Sequence, residues 1–159
     1  MIIATVISRA TAGVIKDDTE RSRRRAENRA AIERICAKKL RILVVEDTAR
    51  HRQELLKTLT GTYGSTVTPF ETAPPAIAAF GDGSGFDLVL MDVFLPGVSG
   101  IEACRQMKTP ATRARFVLMT AGNDRKVAHE ARFLDIPLFR KPIDSNELRR
   151  ILLRCGDDS

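Results

Sequence analysis

Three short runs constrain this chain more than anything else in it: LRILVV at 40–45, FDLVLM at 86–91 and RFVLMT at 115–120. Each is almost unbroken apolar sequence, and the first is rich in β-branched residues. A strand with one wet face alternates polar and apolar residues, so an unbroken run is a strand covered on both faces. STVTPF at 65–70 and Pro137–Arg140 read as two weaker strands. Each strand is followed by helical spacing. Thr48–Leu59 carries Leu55, Leu56 and Leu59 and stops before Gly61. Pro74–Phe80 opens on prolines, which fit a first helical turn. Ile101–Lys108 and Lys126–Leu134 follow, and Asp144–Cys155 has Asp144 and Glu147 in cap-box positions. Strand then helix, five times over, predicts an α/β domain with a parallel sheet between two helix layers. Right-handed crossovers bring the strand C-terminal ends to one edge, where such folds bind ligands. With the first and third strands as neighbours the order is 2-1-3-4-5, the flavodoxin-like, doubly wound arrangement.

That edge is where the polar residues fall. Glu46–Asp47 ends the first strand, Asp92 the third, Thr120 the fourth, and Lys141 follows the fifth, just before Pro142. Each has an ordinary reading: a helix cap for the acid pair, a turn residue for Asp92, a structural hydroxyl for Thr120, a solvated charge for Lys141. Their conjunction in one fold is harder to ascribe to chance. Three carboxylates packed in one cleft repel unless a cation joins them, and hard oxygen ligands suit Mg²⁺. A hydroxyl and an ammonium beside a metal-bound carboxylate supply donors for phosphoryl oxygens.

The motifs VVED (44–47), LMDVFLPGVSG (90–100), LMTA (118–121) and FRKP (139–142) resemble those of the receiver domain of two-component response regulators. The resemblance covers about residues 40–155. It implies that Asp92 is the phosphoacceptor for a group carried by a histidine kinase or histidine phosphotransfer protein. It implies that Asp47 and Asp92 bind Mg²⁺ by side chains, Glu46 through a metal-bound water, and Phe94 through its backbone carbonyl. Thr120 matches the hydroxyl that moves to the phosphoryl group, and Lys141 the lysine that pairs with the acceptor. The Lys141–Pro142 bond is expected to be cis. The chain departs from the family at Leu138, where Tyr or Phe is usual, with Phe139 one later and on the opposite face. Ser99 stands where Asp is common and is read as a cap or turn. Phe94 and Gly122 match positions that flank the phosphoryl group.

The remaining sequence sets the expected context. The 159 residues suit one domain with surplus, divided as a basic extension over 1–39 and a receiver unit over 40–155. Residues 1–41 hold 11 Lys/Arg against 5 Asp/Glu, and the rest of the chain is balanced at 15 and 15. The first 17 residues show no clear period. From Asp17 to Lys39 a charged helix is expected, with Asp17 and Glu20 at cap-box spacing and Arg23–Glu27 and Arg29–Glu33 as i,i+4 pairs. Interleaved acids and absent aromatics argue against nucleic acid as its partner. Three scattered cysteines read as reduced thiols, and no run is long enough for a membrane span, so a cytoplasmic protein is expected. Four residues follow Cys155, and no output domain is expected after it. The function expected is therefore a stand-alone, chemotaxis-type regulator, a phosphoacceptor with slow autodephosphorylation rather than an enzyme. It would switch a downstream protein target, or a homodimer, through Lys126, Ala128, Arg132, Leu138 and Arg140. A phosphorelay intermediate and a phosphorylation-independent adapter are the alternatives. An aspartyl phosphatase fits poorly, because Phe94 occupies the second Asp of its DxD pattern.

Overall fold

Alternation decides which layer each strand residue enters. In the computed structural model, which describes residues 2–156 and the side chains of 17–156, the chain forms β1 (Arg41–Val45), α2 (Ala49–Lys57), β2 (Thr66–Phe70), α3 (Ala73–Phe80), β3 (Leu88–Asp92), α4 (Gly100–Met107), β4 (Arg115–Thr120), α5 (Arg125–Phe133), β5 (Leu138–Arg140) and α6 (Ser145–Arg154), all preceded by α1 (Ile2–Lys38). The five strands are parallel in the order β2-β1-β3-β4-β5. Leu43, Val45, Val89, Met91 and Leu118 pack on one face, toward α3, α4 and α5. Ile42, Val44, Leu88, Leu90, Val117 and Met119 pack on the other, with residues of α1 and α6. The period of two thus feeds two cores from the same strands. Leu138 and Phe139 separate the same way, one into each core. Pro69 lies in β2, an edge strand, where a missing N–H is tolerated.

Two expectations need correction. The helix anticipated from Asp17 runs instead from Ile2, so Asp17 is not a cap but a mid-helix residue, 3.0 Å from Arg21. The other expected pairs form, Arg23–Glu27 at 2.8 Å and Arg29–Glu33 at 3.0 Å. The second helix does not stop before Gly61. A π-helical turn over Thr58–Thr62 carries it further, because Leu59 is fully buried there and holds the turn against the core.

The last turns of α1 pack against the sheet layer and α6. Ile35 is fully buried, Arg149 donates to Asn28 Oδ1 at 2.7 Å, and Lys38 Nζ donates to the carbonyls of Leu153 and Cys155 at the end of α6. Helix α1 ends where Lys39 turns left-handed, at φ 52°.

Candidate phosphoacceptor site

Register builds the site. Val45 pairs with Met91, so the next residues along, Glu46 and Asp92, emerge side by side at the carboxyl edge. Asp92 pairs with Met119, and Thr120 pairs with Arg140, which places Thr120 and Lys141 on the other flank of Asp92. Glu46, Asp92 and Thr120 are all buried, at 0, 2 and 3% exposure, while Asp47 is exposed. Carboxylate oxygens of Glu46, Asp47 and Asp92 lie within 4.8 Å of one another. Lys141 Nζ donates to Asp92 Oδ2 at 2.7 Å and to Glu46 Oε2 at 2.9 Å. The Lys141–Pro142 peptide is cis, as expected.

Three carboxylates therefore face one ammonium, which leaves two negative charges uncompensated in a partly buried cleft. The donor set is all oxygen, with one member open to water. It fits a divalent hard cation such as Mg²⁺. Burial pushes the Asp92 carboxyl above the ordinary carboxylate range, and the Glu46 charge pushes it the same way against the opposing hydrogen bond from Lys141. Burial alone would lower the Lys141 ammonium. Its hydrogen bonds to Asp92 and Glu46 outweigh that, and the net direction is upward. Both shifts have one origin: excess negative charge held away from water.

The neighbours fix orientation. The Phe94 N–H donates to Asp92 Oδ1 at 3.1 Å, and the Thr48 N–H donates to Glu46 Oε1 at 3.1 Å. Thr120 Oγ1 accepts from the Gly122 N–H at 3.1 Å rather than reaching Asp92. The Phe94 ring, half exposed, lies against Gly122, so the two flanking positions meet beside the site. Ser99 caps α4, its Oγ accepting from the Glu102 N–H at 3.2 Å.

Three contributors were not singled out from sequence. Gly100 opens α4 against the backbone of Asp92, and a Cβ there would overlap the Asp92 carbonyl oxygen. Its signal was present, a glycine after the capping serine inside the quoted motif, but only the packing shows what it spares. Arg52 donates to the Glu46 carbonyl at 2.7 Å and to Glu71 at 2.8 Å, which ties α2 to the β1 end. His51 Nδ1 stands 3.8 Å from Glu46 Oε1. No spacing rule marks Arg52 or His51, since each looks like any charged residue on a helix.

Comparison with known proteins agrees with this geometry. Residues 42–153 match the family described as the response regulator receiver domain. The sensory transduction protein RegX3 of Mycobacterium tuberculosis is 33% identical over 124 residues, covering 74% of this chain and 52% of that protein. The transcriptional regulatory protein TcrA of the same organism is 37% identical over 82 residues, 52% of this chain and 32% of that one. The chain thus spans between about a third and a half of the length of these relatives. Among solved structures, the chemotaxis protein CheY4 of Vibrio cholerae superposes with a TM-score of 0.63 at 21% identity, over 72% of this chain and 97% of that one. Among the described residues, no helix is long and apolar enough to cross a membrane. The family match, spanning every strand and all four motifs, makes this chain a member of the response regulator receiver domain family.

Proposed function

We propose that the chain is a phosphorylation-controlled binding module of a two-component system, with Asp92 as its phosphoacceptor. The observation that carries this is the buried Asp92 carboxylate held by Lys141 beside Glu46 and Asp47. A carboxylate oxygen of Asp92 attacks phosphorus in line. The phosphorus–nitrogen bond of a phosphohistidine breaks, and its electron pair leaves with the imidazole nitrogen, which takes up a proton. This transfer asks for positioning and charge neutralisation more than for acid–base chemistry. Asp47, Asp92 and the Phe94 carbonyl would hold Mg²⁺ directly and Glu46 through water, and the ion would neutralise charge on the transferring group. Lys141 then moves from the Asp92 carboxylate to a phosphoryl oxygen, and the Thr120 hydroxyl, whose oxygen accepts from the Gly122 N–H, supplies another donor.

The donor is a histidine kinase or a histidine phosphotransfer protein; one solved neighbour is the receiver domain of yeast Ssk1 crystallised with the phosphotransfer protein Ypd1. Output passes to a protein target, or to a second copy, through the α5 and β5 face, where Lys126, Arg132 and Arg140 are exposed and Ala128 and Leu138 half-buried. Leu138 lacks the aromatic ring that would follow Thr120 inward, so the response at this face rests on backbone and leucine packing. The unit responsible is residues 40–155, acting in the cytoplasm, with 1–39 as a basic extension to it. The test is phosphorylation by acetyl phosphate with Mg²⁺, read on a phosphate-affinity gel. A shifted band in wild type that Asp92→Ala lacks is expected. No shift in either, with Mg²⁺ binding present, overturns the reading in favour of a phosphorylation-independent adapter.

A further inference from the structure

The acidic cluster is held unevenly. The Glu46 carboxylate accepts from Lys141 and from the Thr48 N–H, and the Asp92 carboxylate from Lys141 and from the Phe94 N–H. Both acids are buried. Asp47 is exposed, and the one hydrogen bond to its carboxylate among the described residues comes from the Thr48 hydroxyl, at 3.4 Å. An exposed carboxylate with so little around it takes its position from its own backbone.

That backbone is pinned from two sides. The Glu46 N–H donates to the Phe70 carbonyl at 3.0 Å, at the end of β2. From the other side comes Arg52, one turn into α2, whose side chain is only 15% exposed. Its Nη1 donates to the Glu46 carbonyl at 2.7 Å and, more weakly, to the Asp47 carbonyl at 3.4 Å. Its Nη2 donates to Glu71 Oε1 at 2.8 Å, and Glu71 directly follows Phe70. A guanidinium presents these donors in one rigid plane, which an ammonium cannot do. The Arg52 charge is met by Glu71 and not by the cluster, so the three acids keep their attraction for a cation.

We propose that Arg52, anchored by Glu71, is a positioning residue for the divalent-cation site. It fixes the Glu46–Asp47 backbone, so that the exposed Asp47 carboxylate is already in place for an ion shared with Asp92. The inference rests on the reading of Glu46, Asp47 and Asp92 as the acids that hold Mg²⁺. Without the clamp, Asp47 is ordered only when the ion arrives, and that ordering is subtracted from the affinity. Partners that orient metal ligands from behind in this way are worth about 10–100-fold in metal affinity. The Arg52 charge itself works the other way. A cation near the cluster repels Mg²⁺, so charge alone predicts tighter binding once Arg52 is removed, and positioning predicts weaker binding.

The test is calorimetric titration of the full chain with Mg²⁺, beside a urea melt of each variant. Arg52→Met is expected to weaken Mg²⁺ binding about tenfold or more. Arg52→Lys keeps the charge, loses the fork and is expected to weaken it too. Arg50→Met removes the same charge from the exposed Arg50–Glu54 pair on the same helix, and is expected to tighten binding by about twofold at most, a screened effect. At saturating Mg²⁺, labelling of Arg52→Met by acetyl phosphate is expected to return toward the wild-type rate. A merely structural Arg52 would lower the urea midpoint and leave the Mg²⁺ affinity of the folded protein unchanged, which overturns the inference while wild-type binding and labelling stand. Wild-type affinity in Arg52→Lys would reduce the clamp to charge and overturn it as well. A wild type that neither binds Mg²⁺ nor takes the label overturns the phosphoacceptor reading, and this inference with it.

Discussion

Replacing Gly100 by alanine tests the claim that the start of α4 is fitted to the acceptor strand. Alanine is ordinarily the better helix residue, by about 1 kcal/mol in a helix interior. Here the added Cβ overlaps the Asp92 carbonyl oxygen and comes within 2.8 Å of the Asp92 carbonyl carbon and 2.9 Å of Met91 Cγ. The obstacle is mostly backbone in a central strand, so no side-chain rotation relieves it. Either α4 or the end of β3 has to move by something like an ångström. Overpacking of this kind costs about 1–3 kcal/mol, and the backbone partner puts this site near about 3 kcal/mol. With a urea m-value of about 2 kcal/mol/M, the unfolding midpoint should fall by about 1.5 M. The distortion falls on Asp92 itself, so labelling by acetyl phosphate should slow even where the variant is fully folded. Gly61 supplies the opposite control, because a Cβ there meets nothing within 4 Å and its φ is not positive. Gly61→Ala should be neutral or stabilising by about 0.4–1 kcal/mol, through the unfolded chain. A Gly100→Ala protein as stable as Gly61→Ala, with an unchanged labelling rate, would refute the fitted packing.

The charge excess gives further tests. The folded pKa of Asp92 is raised, so the folded state binds the extra proton, and stability falls as pH rises from the unfolded carboxyl pKa through the folded one. Urea melts across acid to neutral pH should therefore show Asp92→Asn gaining on wild type as pH rises; a constant difference would contradict the shift. Lys141 is raised as well, so its stabilisation is complete below the ordinary lysine pKa and is lost as pH climbs through the higher folded value. Lys141→Ala leaves Glu46 and Asp92 without their ammonium and should destabilise by about 3 kcal/mol at neutral pH, less in acid as Asp92 protonates. Mg²⁺ should raise the melting temperature of wild type and not of Asp47→Ala, measured by differential scanning fluorimetry. Lys38→Met removes two donors from the last carbonyls of α6 and should cost about 1–2 kcal/mol in a urea melt, whereas an unchanged midpoint would make α1 a loose attachment.

The central strands were legible because they are buried on both faces, and unbroken runs such as RFVLMT have no helical alternative of that length. The five polar positions at the carboxyl edge were legible for a related reason. A polar residue that ends a buried strand can only lie at the sheet's rim. Helix α1 was less readable upstream of Asp17, since its apolar residues follow no clean period and its charged half satisfies itself by i,i+4 pairs. The π turn escaped notice because Gly61 reads as a stop, whereas burial of Leu59 decides the matter through contacts far away in sequence. Gly100 and Arg52 share that property. Each is defined by what lies beside it in space, and nothing in the local sequence says what that will be.

Register is what turns separate residues into one site, and it explains why the edge tolerates so much uncompensated charge. Glu46 and Asp92 sit side by side only because Val45 pairs with Met91, and a slip of one residue would send either carboxylate into an apolar layer. The flanking pairs fix that alignment: Ile42 with Leu88, Leu43 with Val89 and Val44 with Leu90, all fully buried. The same pairs that feed the two cores therefore hold two acids together against their repulsion. Lys141 offsets part of it, and a divalent cation or a phosphoryl group bound with one would change the remainder. The stability of the central strands is thus what holds two buried acids together at their tips, where a cation or a phosphoryl group would find them.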